Sequence, residues 1–201
     1  MNRIFMKALK IIGIVILVLV AIFFIVGLLL PSEVHVEREK MFAAQPQTVF
    51  NQVNTIQEWE NWSAWHEMAD DMEITYNGPA AGEGAGYSWT SETIGNGSQK
   101  IIESRPYEFI KTELDFQQQG TANGTWQFIP VGGDSTKVIW ALDADMGSGI
   151  VDKWMGLAMD VMVGPNFEDG LNNIEEQIKN MPADTSAAMP DSTSMKTDSL
   201  Q

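Results

Sequence analysis

The sequence contains no cysteine, which excludes disulfides, thiolate metal sites, a cysteine nucleophile and lipid attachment at a thiol. Histidine occurs only twice, as His35 and His66. A zinc site resting on histidines would need both to converge, and His66-Glu67 lacks the second histidine four residues on, where Asp70 stands. The cluster His66, Glu67, Asp70 and Asp71 therefore reads as a solvated acidic loop, and neither metal nor cofactor is expected. Basic residues are scarce as well. Beyond Pro31, nine Lys and Arg face all 27 Asp and Glu, a formal charge of −18. Such a surface repels phosphate backbones and carries no basic stripe, which argues against nucleic-acid binding. There is no Gly-x-Ser-x-Gly elbow for a serine nucleophile. Gly82-x-Gly84-x-Gly86 misses the dinucleotide-binding spacing and no helix follows it, so it reads as a loop.

What the sequence does contain begins with an anchor. Ile11 to Leu30 is twenty apolar residues without a charge. At about 1.5 Å per residue this matches the roughly 30 Å hydrocarbon core of a bilayer. A secretory signal would have a shorter apolar region and a small-x-small cleavage site, and none is present. Arg3, Lys7 and Lys10 precede the run, while Pro31, Ser32 and Glu33 follow it. The positive-inside rule then places the basic segment 1–10 in the cytoplasm and the C-terminal domain outside it. The expected organisation is a single-pass helix at 11–30, one domain at 32–180 and a polar, disordered tail at 181–201.

Within the domain, Glu33 to Phe42 alternates as a first strand, with Val34, Val36, Arg38, Lys40 and Phe42 on one face. Pro46 opens a short helix carrying Val49, Phe50 and Val53. Trp59, Trp62 and Trp65 follow at a spacing of three, aligned along one helical face. Glu73–Asn77 reads as a short strand, followed by hairpins at Tyr87–Thr93, Ser98–Arg105, Phe109–Phe116, Thr125–Val131 and Thr136–Asp145. Asn96-Gly97 is a tight-turn signal, and Gly120–Gly124 reads as another turn. Asn61, Asn96 and Asn123 also match the N-glycosylation acceptor pattern. Ile150–Val163 is a Met-rich helix, Gly164-Pro165 is expected to break or kink it, and an amphipathic helix continues beyond. Curling such a sheet around the last helix leaves a space between them, which makes the domain a container.

Several side chains are candidates for that space. Trp126 and Phe128 share one strand face, as do Trp140 and Leu142, and Tyr87 and Trp89. Met155, Met159 and Met162 line one side of the helix, and methionine suits adaptable apolar sites. These nine form the candidate ligand surface. Glu103 is a weak catalytic candidate. Simple alternation puts it on the same face as Ile101, and a carboxylate in an apolar cavity would have a raised pKa. Pairing with a cross-strand lysine such as Lys111 is the plainer reading.

This order of elements and these residues resemble the START-like superfamily known as SRPBCC, in its polyketide cyclase/dehydrase-like branch. The resemblance rests on Pro46-x-x-Val49-Phe50, Trp59-x-x-Trp62-x-x-Trp65, Tyr76-x-Gly78-Pro79, Gly82-x-Gly84 leading to Trp89, Ile102-Glu103-Ser104-x-Pro106 and Gly164-x-x-Phe167-Glu168-x-Gly170-Leu171. It implies an α+β helix-grip fold, a curved antiparallel sheet wrapped on a long C-terminal helix. It also implies an apolar cavity for a small hydrophobic ligand such as a lipid, sterol or polyketide. The resemblance supplies no shared catalytic motif. The expected function is a membrane-anchored binding domain. The alternatives are a cyclase/dehydrase-type enzyme using Glu103, and a protein-interaction module presenting the Trp row to a partner of unknown kind.

Overall fold

The computed structural model describes residues 3–117 and 120–181. The tail expected from 181 therefore lies, from 182 on, outside the described residues. Helix α1 (Arg3–Leu29) includes Leu9–Leu29, 21 residues of mean hydropathy 3.4. By length and composition this segment suffices to cross a membrane. Its side chains are exposed over nearly the whole circumference.

Strand β1 (Glu33–Phe42) follows, then α2 (Pro46–Asn54), a 3-10 turn (Ile56–Glu58), α3 (Trp59–Trp62) and α4 (Ala64–Met68). Six strands come next: β2 (Glu73–Asn77), β3 (Gly86–Thr90), β4 (Gly97–Arg105), β5 (Phe109–Asp115), β6 (Thr121–Pro130) and β7 (Thr136–Asp145). Helix α5 (Ile150–Asn180) ends the fold. The strands form one antiparallel sheet in the order β1-β7-β6-β5-β4-β3-β2. The last six are thus a simple meander, and β1 closes on β7. Long-range pairing between consecutive strands is the least entropically costly way to build such a sheet.

The sheet's inner face is covered by α5, which runs from the start of β1 toward its end. A Cβ at Gly156 would touch Val34, and one at Gly164 would collide with the Arg38 guanidinium. Farther along, Lys40 reaches Asn172 at 2.7 Å and Glu175 at 3.0 Å. Arg38 and Lys40 are on the inner face, as the alternation of β1 requires, and α5 supplies their counter-charges. Arg38 donates to Asp160 at 2.8 Å and to Glu168 at 2.7 Å, one helical turn to either side of Gly164. The glycine lets the helix backbone approach the strand closely enough for both bonds.

The tryptophan row closes the far half of the grip. Trp62 and Trp59 donate their indole N–H groups to the carbonyls of Gln52 (3.0 Å) and Val53 (2.8 Å). Those carbonyls belong to the last turn of α2, which has no helical partner for them. The W-x-x-W spacing therefore places apolar rings in the core and caps a helix at once. Trp59 and Trp62 are 3% and 1% exposed. Trp65 is half-buried and packs edge-on to Trp140 and Phe167, so the row belongs to the core and does not form an exposed patch.

Four local expectations are corrected. Pro165 does not break α5, which is one helix of 31 residues. It stands on the exposed side, where a single missing N–H is tolerated because Gly164 and Arg38 pin the opposite side. The Gly120–Gly124 segment is mostly strand, since β6 starts at Thr121. Gly124 is needed within it because Thr112 Oγ1 occupies the place of a Cβ. Asn96-Gly97 is not a two-residue turn: Gly97 opens β4, and the β3–β4 loop runs over residues 91–96. That loop is held by Asp71, which accepts from Ser91 Oγ (2.8 Å) and from the backbone N–H groups of Glu92 and Thr93. Finally, His66 is not in a solvated loop, as its surroundings below show.

Candidate functional site

The inner face of the sheet is a set of side-chain rows fixed by strand register. Arg38, Trp140, Trp126 and Ile110 form one row. It is packed solid. Trp140 stacks on Phe167 of α5 (centroids 3.8 Å, planes 3° apart) and on Trp126 (4.1 Å, 20°), with Trp62 edge-on to Trp126 and Trp140. The next row toward α1 is Val36, Leu142, Gly124, Thr112 and Ile101, also buried.

The row after that differs. It runs Val34, Ala144, Ala122, Leu114, Gln99 and Tyr87. Val34, Ala144 and Leu114 are only half-buried although they face inward, and so are Phe116 beside them and Met159 and Val163 of α5. The inward positions of β6 explain this, since the small Ala122 and Gly124 give way to the rings of Trp126 and Phe128 along the strand. Large rings fill one end of the grip and small side chains leave the other open. The open end is where β1 begins, and hence where α1 joins the domain.

Six buried polar atoms have no partner among the described residues: Gln52 Oε1 on α2 and Trp126 Nε1 in the aromatic block lie in the closed half, and the other four lie toward the open end. Gln99 Nε2, Trp89 Nε1 and both ring nitrogens of His66 are buried with no hydrogen bond to any described residue. Unpaired buried polar atoms are uncommon in folded proteins and call for an account. His66 projects from α4 toward Tyr87, ring centroids 6.0 Å apart. Burial pushes its pKa down, opposed weakly by Glu60, so the imidazole is neutral at neutral pH. Burial likewise pushes the Tyr87 hydroxyl up, keeping it protonated. The open end thus combines an apolar lining with neutral donors and acceptors. Because the His66 pKa is lower folded than unfolded, acid binds preferentially to the unfolded chain. Stability should therefore fall as pH drops below 6.5 toward the folded value. Thermal melts of wild type against His66→Gln should show a shallower acid slope in the variant. His35, whose pKa is raised by Asp143 at 2.7 Å, acts with the opposite sign and is common to both chains.

The nine expected ligand residues separate into three groups. Trp126, Phe128, Trp140 and Leu142 belong to the packed core, at 8% exposure or less. Tyr87 and Trp89, at 7% and 8%, are just as buried but lie toward the open end, with the half-buried Met159. Met155 and Met162 lie on the outward face of α5. Glu103 is outside the grip. A bulge between Ile101 and Glu103 interrupts the alternation, so Ile101 faces the core while Glu103 pairs with Lys111 in register and bonds Arg105 at 3.1 Å. It carries no cavity chemistry. Glu103→Gln should change stability by no more than about 0.5 kcal/mol and leave ligand retention unchanged, measured by denaturant unfolding and mass spectrometry of the bound fraction. Among the described residues no three His, Asp or Glu side chains gather as a metal site requires. Sequence reasoning missed Gln99 and took His66 for a residue of a solvated loop. A lone inward glutamine between apolar rows was the available signal.

A seven-stranded antiparallel sheet gripping one long C-terminal helix defines the helix-grip class. Residues 33–179 match the family described as polyketide cyclase / dehydrase and lipid transport, and the chain belongs to that family. No curated protein matches the sequence. Among solved structures, norcoclaurine synthase from Thalictrum flavum superposes with TM-score 0.57 at 13% identity, covering 78% of this chain and 92% of that one. A Staphylococcus aureus protein of unknown function gives 0.57 at 14%, covering 73% and 94%. A Rhodobacter sphaeroides protein gives 0.54 at 16%, covering 74% and 95%. At these identities the likeness is one of fold.

Proposed function

We propose that this chain is a membrane-anchored binding protein for a small, mainly apolar ligand with a polar end, held at the open end of the grip. The observation that carries the reading is the half-buried inner row beside the unpartnered polar atoms of Gln99, Trp89 and His66. An apolar ligand body would cover the first, and a hydroxyl or carbonyl would pair the second. Norcoclaurine synthase, of like fold, has been solved in complex with dopamine and hydroxybenzaldehyde, both small aromatic molecules.

The anchor belongs to the same reading. Leu9–Leu29 crosses the bilayer, the basic residues before it stay in the cytoplasm, and the acidic domain stands outside. The open end adjoins the point where α1 meets the domain, so a lipid leaving the bilayer would have a short path to it. Full-length chain extracted from its native membrane in polymer-bounded discs, then analysed by native mass spectrometry and solvent extraction, tests the proposal. A stoichiometric apolar ligand is expected. A chain that carries none, and takes up none from a panel of lipids, sterols and aromatic polyketides, would defeat it.

A further inference from the structure

Helix α5 changes character at Gly164. Beyond it the helix is amphipathic in the ordinary sense: Phe167, Gly170, Leu171 and Ile174 are buried, while Glu168, Asp169, Asn172 and Glu176 are exposed. Before it the outward face is apolar. Val151, Met155, Leu157, Val161 and Met162 are all more than half exposed. With Trp154 and Ala158 they cover an arc of roughly 160° at 100° per residue. No charge falls in that arc. Asp160 turns instead to Arg38, and Lys153 lines a groove of about 220 Å³ against the start of β1.

This face is held to α1. The Trp154 ring stacks on Phe23 (5.2 Å, 6°), and its Nε1 donates to the Phe23 carbonyl at 3.2 Å. Ile150 and Trp154 close over Gly27, where no Cβ would fit. Phe23 is six residues before Leu29, about 9 Å along the helix axis. Any medium surrounding the last turns of α1 also surrounds the first turns of α5.

We infer that the first half of α5, Ile150 to Val163, is a second membrane contact, its uncharged arc lying in the interfacial layer of the outer leaflet. The inference rests on α1 being the membrane helix. A depth of about 9 Å matches the 5–10 Å at which interfacial helices bury their apolar face, and tryptophan with a satisfied N–H suits that layer. An uncharged arc this wide would otherwise be an uncovered apolar patch in water. The contact sets the domain's orientation, with the open end of the grip held at the bilayer.

The absence of cysteine makes the test direct. Single cysteines replace Met155, Met162, Leu19 and Glu176 in the full chain, each bearing a nitroxide, in vesicles of neutral phospholipid. Collision rates are measured with oxygen and with a water-soluble nickel chelate. Met155→Cys and Met162→Cys should show an oxygen-to-nickel ratio several-fold above Glu176→Cys and approaching Leu19→Cys. If Leu19→Cys is membrane-buried but both α5 labels match Glu176→Cys, the inference fails while the anchor stands. If Leu19→Cys itself is open to nickel, the anchor reading fails, and the inference with it. Labels at α5 shielded from both reagents, with spin–spin broadening between chains, would assign the face to a second copy and overturn the membrane contact.

Discussion

Replacing Trp140 by alanine should remove most of the domain's stability. Its ring lies between Phe167 and Trp126, with Trp62 and Trp65 edge-on at 5.8 and 6.0 Å. At 3% exposure it is screened from water, and Gly170 is a glycine because a Cβ there would stand 3.0 Å from the indole. Large-to-small changes at such sites cost about 3–5 kcal/mol, since the lost transfer energy adds to a cavity that rigid neighbours cannot fill. Domains of this kind are stable by only about 5–15 kcal/mol, so the variant should melt far earlier or fail to fold. Trp140→Phe keeps the stacking and should lose much less. Chemical denaturation followed by near-ultraviolet circular dichroism measures both. An alanine variant as stable as wild type would mean that the aromatic block is not the core, and that the closed end of the grip is itself the cavity.

The contrast between the two ends also shows what the sequence could reveal. Period-two alternation in β1 and β7 is undisturbed, so both strands were legible to the residue, although Arg38 and Lys40 read in sequence as a change of the apolar side and not as inward charges. Their partners were not, because Asp160, Glu168 and Glu175 are more than a hundred residues away and an acidic helix face ordinarily meets water. The bulge at Ile102 has no local signature, and it alone turned Glu103 from a cavity candidate into a surface residue. Pro165 was misleading because its effect depends on what holds the opposite face of the helix. The aromatic set was recognised as one group, yet pattern cannot separate rings that fill a cavity from rings that line one. Side-chain size along β6, small at Ala122 and Gly124 and large at Trp126 and Phe128, carries that distinction once register is known.

Register also joins the two regions that bear on function. The row holding Gln99 begins at Val34, and Val34 is where Gly156 of α5 meets the sheet. One edge of the open end is therefore made by the same half-helix whose outer face is apolar.

The last expected result separates binding from folding at that site. Gln99 is 5% exposed, stands between Tyr87 and Leu114 in register, and its Nε2 has no partner among the described residues. An unpaired buried amide costs about 1–3 kcal/mol, and an apolar group of similar shape removes that penalty. Gln99→Leu should therefore leave the ligand-free chain at least as stable as wild type, with a gain of up to about 1–3 kcal/mol. Ligand retention should move the other way, because a polar end placed against leucine loses its partner and is itself stranded. Stability up and ligand down is the signature of a residue kept for binding. Melting curves of delipidated chain, with mass spectrometry of the same variant from its native membrane, give the two readouts. A variant that is destabilised yet keeps its ligand would show that Gln99 supports the sheet and that the ligand's polar end is recognised elsewhere, leaving His66 as the group to test next.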